Sequence, residues 1–188
     1  MNRQLHYQGK ILRLVTLDGR WEVIEHAPAV CVLALRPAGT SQTLEVLGVR
    51  QLRPAIGTAT WELPAGLVDS GESPETAAAR ELAEETQFKA KLERIAEIHS
   101  SPGFCDEKVF IFEAHNLEAS PGTPDEGEEL TLEWRELRST WEQIRSGRLA
   151  SSAHTLMALT YALGKHGLLA VDKASDSDES NKLSSEHN

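Results

Sequence analysis

Three glutamates crowd a single turn of a predicted helix. Residues 66–88 read GLVDSGESPETAAARELAEETQF. Glu81 and Glu84 are three residues apart, and Glu81 and Glu85 are four apart. Both spacings bring side chains to one face of an α-helix. Arg80 precedes the group, and Glu72 and Gly66 lie upstream of it. Like charges at these spacings repel, so a positive partner is expected, and a divalent cation is the natural one. Mg²⁺ and Mn²⁺ prefer oxygen ligands, and Mg²⁺ is held by one or two carboxylates together with waters and substrate phosphates. A metal placed against a pyrophosphate polarises the phosphoryl oxygen, orients a water and stabilises the leaving oxygen. The plainer alternative is a solvated acidic face with an Arg80–Glu84 pair. Two or three glutamates alone would favour that alternative, whereas the full spacing from Gly66 to Glu85 does not.

The helix that carries these groups is well marked. Ser73 is placed as N-cap, Pro74 at the first helical position and Glu75 in the first turn. The pattern runs to about Thr86, with Ala78 and Leu82 as a core-facing stripe. Before it, residues 5–16 and 21–26 read as two strands joined by Leu17-Asp18-Gly19-Arg20, a hairpin turn signal. Strands follow at 29–36, 43–50 and 60–63, and Pro64-Ala65-Gly66 reads as a loop. After the helix come strands near 92–99 and 108–114, separated by the loop Ser101-Pro102-Gly103-Phe104. Residues 119–128 form a loop rich in Pro, Gly and acid, 130–135 a strand, and 140–147 and 152–164 two helices. This order predicts an α+β domain with a mixed sheet between helices. Trp61, Trp134 and Trp141 are read as core.

At 188 residues the chain can bury a sizeable core. Its net charge of -10 argues against duplex nucleic acid or an anionic membrane surface as a bulk partner. Metal ions between acid and phosphate would still permit a phosphate ligand. Cys31 and Cys105 form no motif and read as reduced thiols of a cytoplasmic protein. The start MNRQLHYQGK lacks the apolar stretch of a signal peptide, and no apolar run reaches membrane-spanning length. The seven histidines show no metal-ligand spacing, and none is assigned a role. Residues 172–188 carry five acidic and two basic residues and almost nothing apolar, a composition expected to stay disordered. The chain therefore divides into an N-terminal hairpin segment (1–26), a main domain (27–171) and an acidic tail (172–188).

The pattern Gly66, Glu72, Arg80, Glu81, Leu82, Glu84, Glu85, closed by Phe88, resembles the signature of the Nudix hydrolases. One position departs: Gln87 stands where the family has Gly, near a helix C-terminus where φ > 0 is often wanted. The resemblance implies the Nudix fold, a mixed sheet sandwiched between helices. It also implies hydrolysis of a nucleoside diphosphate linked to another moiety, using Mg²⁺ or Mn²⁺. On it, Glu81 and Glu85 are the main metal ligands, Glu84 a further one and the Ala65 carbonyl another. Arg80, counted with the catalytic set, and Glu72 orient those carboxylates.

Outside this box the chain is similar to the ADP-ribose pyrophosphatase branch. Arg50-Gln51-Leu52-Arg53-Pro54-Ala55, the run Glu62 to Gly66, the loop Ser101 to Glu107 with Pro102, and the acidic stretch Asp125 to Glu129 carry the likeness. It implies Glu126 as the base that takes the proton of the attacking water, with Glu128 as a neighbour able to share that role or bind metal. Arg50 and Arg53 are expected on substrate phosphates, and Pro102, Gly103 and Glu107 on substrate. Arg20 and Trp21 are expected near an adenine base, with ordinary hairpin packing the equal alternative for Trp21. A homodimer exchanging the N-terminal hairpin is implied as well. ADP-ribose is the expected substrate. Other nucleoside diphosphate sugars such as GDP-mannose, oxidised nucleotides and a non-catalytic nucleotide sensor are the alternatives, in that order.

Overall fold

The computed structural model describes residues 1–39, 43–120 and 130–169. Strand β4 (Ala29–Pro37) is the organising element. Its run Val30 to Ala34 is wholly buried, as expected of a strand covered on both faces. Alternation sends Cys31 and Leu33 to one face, and Val30, Val32 and Ala34 to the other.

Around β4 lie β5 (Leu44–Arg53), β6 (Thr58–Glu62), β7 (Ala65–Leu67), β8 (Phe88–His99), β9 (Lys108–Ala119) and β10 (Thr131–Glu136). The sheet order is β10-β5-β4-β9-β8, with β6 on β5 and β7 on β4. β4 and β9 run parallel and the other pairs antiparallel. Helix α1 (Pro74–Thr86) covers one face through Ala77, Ala78 and Leu82. Helices α2 (Leu137–Arg145) and α3 (Ala153–Lys165) cover the other through Leu137, Leu159 and Leu163. This is the α+β sandwich that the sequence predicts.

The N-terminal strands form a separate sheet of three, β1 (Arg3–Gln8), β2 (Leu12–Leu17) and β3 (Trp21–His26). Residues 5–16 are thus two strands and not one. The chain reverses at Gly9, whose N–H donates to the Leu12 carbonyl at 2.9 Å. Only the short stretch Gln8-Gly9-Lys10 interrupts the run, and Tyr7 and Ile11 flank it closely, so the strand pattern reads as continuous across it. The turn at Asp18-Gly19 is present, with both residues at positive φ. Residues 65–66, expected in a loop, belong to β7, which pairs Cys31 with Ala65 and Val30 with Gly66. Strands β8 and β9 are longer than expected, and α2 starts three residues earlier.

Two local features set the site. Helix α1 begins as predicted: the Ser73 hydroxyl accepts from Thr76 N–H at 3.1 Å and Pro74 opens the first turn. It ends at Gln87, which sits at φ 58° and donates its N–H to the Ala83 carbonyl. The left-handed exit usual for Gly is therefore kept with a side chain, at some strain. The second feature is Gly48, where a Cβ would overlap the indole of Trp61 across the β5–β6 pair. Trp61 is fully buried. Trp134 and Trp141 are only half-buried: Trp134 lies under the Arg36 guanidinium, and Trp141 bonds Thr160 Oγ1 at 2.8 Å. Those two stand at the margin of the core because each keeps a polar partner.

Candidate active site

A groove of about 610 Å³ opens between β7, the C-terminal half of α1, the end of β5 and the start of α3. Glu81 and Glu85 line it beside Ala65 and Gly66. A Cβ on Gly66 would overlap the Glu81 carboxylate, so only glycine lets that acid lie against the backbone. The Ala65 N–H donates to Glu85 Oε2 at 3.1 Å. Pairing of β7 with β4 thus brings both acids against one stretch of main chain.

Arg80 organises the acids. Its Nε and Nη2 donate to the two Glu72 oxygens at 3.1 and 3.0 Å. Nη1 donates to Glu81 Oε1 at 2.7 Å and Glu84 Oε2 at 3.1 Å, and Nη2 also reaches the Leu67 carbonyl at 2.9 Å. These bonds, those to Glu72 foremost, raise the Arg80 pKa further above its ordinary value. In return Arg80 holds the Glu72 carboxyl below the usual range. Glu72 also accepts the Asp69 N–H at 3.1 Å, which fixes the loop entering α1.

A second cluster borders the same groove. Arg53 donates to Glu62 through Nε at 3.2 Å and Nη2 at 2.8 Å, and Glu62 is 4% exposed. Burial works to raise the Glu62 pKa, but the bonds from Arg53 and Thr60 outweigh it and hold the carboxyl low. Leu63 N–H donates to Thr155 Oγ1 at 3.2 Å and Ser151 Oγ to the Trp61 carbonyl at 2.6 Å. These bonds lash β6 to the start of α3 and bring His154 to the groove beside Glu107. His26 Nδ1 lies 3.2 Å from Glu107 Oε1, and the His26 N–H donates to Asp106 Oδ1 at 2.8 Å.

The structure gathers Ala65, Glu81, Glu85, Arg80, Arg53 and Glu107 around one groove. Glu84 is held by Arg80 and does not line it. Arg50 is exposed, on the opposite face of β5 from Gln51 and Arg53. Pro102 and Gly103 border a separate cavity of about 220 Å³ with Val23 and Phe104. Their loop is pinned to β3 by the Ile24 N–H to the Phe104 carbonyl at 2.7 Å and by the Asp106 N–H to the Ile24 carbonyl at 3.1 Å. That pinning sets where Glu107 stands. Trp21 is exposed on the N-terminal sheet, with the Arg20 guanidinium 4.6 Å from its ring centre. Glu126 and Glu128 lie outside the described residues, as does the tail 172–188.

Sequence reasoning assigned no role to His154, His26 or Glu62. Strand alternation marks Glu62 only as facing the side opposite Trp61, and nothing near His154 in sequence signals a groove.

The donor set at the box is all oxygen: the carboxylates of Glu81 and Glu85 and the Ala65 carbonyl. This suits a hard divalent cation. Among the described residues no three acidic or histidine side chains converge to hold a metal by themselves. A site of two carboxylates completed by water and phosphate oxygens is what Mg²⁺ uses. Cys31 is no competing nucleophile, because burial pushes its thiol pKa well up.

A NUDIX domain is matched over residues 25–153. The chain belongs to the Nudix family, and its sandwich of helices about a mixed sheet is the fold of that family. It is 37% identical to an ADP-ribose pyrophosphatase of Bacillus subtilis over 120 residues, 59% of this chain and 62% of the relative. It is 33% identical to an ADP-ribose pyrophosphatase of Mycobacterium tuberculosis over 135 residues, 70% of this chain and 63% of the relative. A shorter match, 48% over 60 residues, is to an ADP-sugar pyrophosphatase of Mus musculus and covers 32% of this chain and 25% of the relative. The chain thus spans less than two thirds of the length of each of these three relatives.

Proposed function

We propose that this chain is a divalent-metal-dependent hydrolase that splits ADP-ribose into AMP and ribose 5-phosphate. The observation that carries the reading is the packing of Glu81 and Glu85 against the Gly66–Ala65 backbone in a groove, with Arg80 fixing their orientation. The names of two relatives support the substrate. The name of the mouse relative supports a broader reading, in which other ADP-sugars are also cleaved.

Glu81, Glu85 and the Ala65 carbonyl would hold Mg²⁺ or Mn²⁺, with Glu84 as a further ligand. Bound there, the metal supplies Lewis-acid polarisation of the pyrophosphate oxygens. Arg80 keeps Glu81 and Glu84 aimed. Arg53, whose side chain is 43% exposed at the groove wall and bonded to Glu62, is placed to meet a phosphate oxygen. Arg50, on the opposite face of β5, is kept for the same phosphates on the family resemblance alone. A water attacks one phosphorus, the bridging P–O bond breaks, and the water's proton passes to a carboxylate. Glu126 is the base in this reading, with Glu128 beside it, on the chemistry of the loop alone. Pro102 and Gly103 act by placing Glu107. Arg20 and Trp21 receive the adenine of a substrate bound across a dimer.

A homodimer fits Leu5, Tyr7, Ile11 and Trp21, which stand exposed on the N-terminal sheet. A cytoplasmic location fits the two unpaired cysteines. Among the described residues no helix is long and apolar enough to cross a membrane.

The test is kcat/KM for ADP-ribose, other nucleoside diphosphate sugars and oxidised nucleotides, with Mg²⁺ and with chelator. Preference for ADP-ribose and loss of turnover in chelator are expected. Metal-independent turnover, or none of any substrate, overturns the reading.

A further inference from the structure

Glu107 is an acid set among acids. It lines the groove that Glu81 and Glu85 also line, and like charges repel across such a space. The two arginines of the groove are bonded to other carboxylates, Arg80 to Glu72, Glu81 and Glu84, and Arg53 to Glu62. Among the described residues the side chain that pairs with Glu107 is His26, whose Nδ1 lies 3.2 Å from Glu107 Oε1. Nδ1 also lies 2.8 Å from the Ala27 carbonyl. A carbonyl only accepts, so Nδ1 carries the proton and presents it beside the Glu107 carboxylate. The two side chains are 16% and 22% exposed, so water and salt screen the pair only in part.

The backbone brings this pair together. β3 and the loop 101–107 are bonded step by step: the Ile24 N–H to the Phe104 carbonyl at 2.7 Å, the Asp106 N–H to the Ile24 carbonyl at 3.1 Å, and the His26 N–H to Asp106 Oδ1 at 2.8 Å. The contact of His26 with Glu107 is the next step, and both of its residues line the groove. At the other end the Ser100 N–H closes the loop on the Glu107 carbonyl at 3.2 Å. The main chain of Glu107 is thus held where it enters the groove. What orients the carboxylate beyond that point is the His26 ring.

We propose that His26 is a positioning residue for the reaction, holding the Glu107 carboxylate in the orientation that meets the substrate. The assignment rests on the hydrolase reading above, with Glu107 as the residue that touches substrate. A carboxylate only accepts hydrogen bonds, so the group it meets is a hydroxyl or an amine and not a phosphate oxygen. His26 ends β3, so the N-terminal sheet takes part in the site.

The experiment compares wild type, H26L, H26N, E107Q and the double variant H26L/E107Q on ADP-ribose with Mg²⁺, each assayed below its measured Tm. KM is expected to rise about tenfold in E107Q and about fivefold in H26L, with kcat within about twofold of wild type. The double variant is expected to match E107Q alone, because two residues that act through one contact do not add. H26N, whose amide can place an N–H where Nδ1 stands, is expected to recover most of the H26L loss. Should H26L fail to fold, H26Q, whose amide reaches the Nε2 position instead, replaces it in the single and the double variant. Losses that multiply in the double variant overturn the assignment, as does an H26N as impaired as H26L. Unchanged kinetics in E107Q or in H26L overturn it too. A wild-type protein that turns over no ADP-ribose, or turns it over without metal, overturns the hydrolase reading and the assignment with it, a result distinct from the others.

Discussion

Two arginines line the groove, and they are held in opposite ways. Arg80 draws in carboxylates from two helical positions and one loop, all within thirteen residues of chain. Arg53 is held by one carboxylate, Glu62, delivered by a neighbouring strand that α3 in turn anchors. The first cluster needs α1, the loop that enters it and the end of β7, all close in sequence. The second exists only once β5, β6 and α3 have packed. The acids proposed to hold a metal thus sit on a local scaffold, and the arginine proposed to meet a substrate phosphate sits on the tertiary fold.

The strongest way to break this contrast is at the proposed metal ligands. Glu81→Gln or Glu85→Gln is expected to cut kcat at saturating Mg²⁺ by at least about 100-fold, since metal charge stabilisation is worth several kcal/mol. Wild-type turnover in steady-state assays would remove the metal role. Next come the arginines themselves. Arg80→Ala is expected to weaken Mg²⁺ activation by about 10- to 100-fold, and Arg80→Lys to repair little, because a single ammonium cannot replace the fork on Glu72. Arg53→Ala is expected to act instead on folding and KM. It strands the buried Glu62 and costs about 1–3 kcal/mol in denaturant titration. If both variants moved metal dependence alike, the division between the clusters would fall.

Acid sharpens the comparison less strongly. Glu72 and Glu62 both ionise more readily folded than unfolded, where such a carboxyl titrates near 4.5. Their contribution is complete above that value and is lost as pH falls through the lower folded values. Thermal unfolding followed downward from pH 5 is expected to show this loss, and Glu72→Gln to flatten it. The smallest effect is at the exit of α1. Gln87→Gly is expected to raise stability by about 0.5–1 kcal/mol by relieving the positive φ, offset in part by glycine's entropy. A lower Tm would mean the Gln87 side chain makes a compensating contact.

The same contrast explains what was legible in the sequence. Ser73, Pro74, Ala78 and Leu82 give the helix its start and its inner face, so the positions of Glu81, Glu84 and Glu85 follow from a period of 3.6. The apolar run of β4 likewise reads directly as a central strand. The positive φ at position 87 was legible as well, from the glycine that the signature places there. Glu62 and His154 meet through a pairing and a helix docking 92 residues apart in sequence, and no local pattern encodes that. The turn at Gly9 escaped because its polar break, Gln8-Gly9-Lys10, is short and lies between two strand-like runs. Gly103 and Pro102 read as substrate contacts; they border a separate cavity in the loop that leads to Glu107.

Gly48 has a consequence for how this protein can vary. Trp61 and Glu62 are adjacent on β6 and point to opposite faces, one into the core and one toward the groove. The bare backbone of Gly48 is the seat on which the indole rests. Any methyl there must lift the indole, and with it the strand whose next residue grips Arg53. A substitution in the middle of the sheet, touching nothing in the groove, would then surface as altered substrate preference, and in a family tree position 48 would drift only in company with 61.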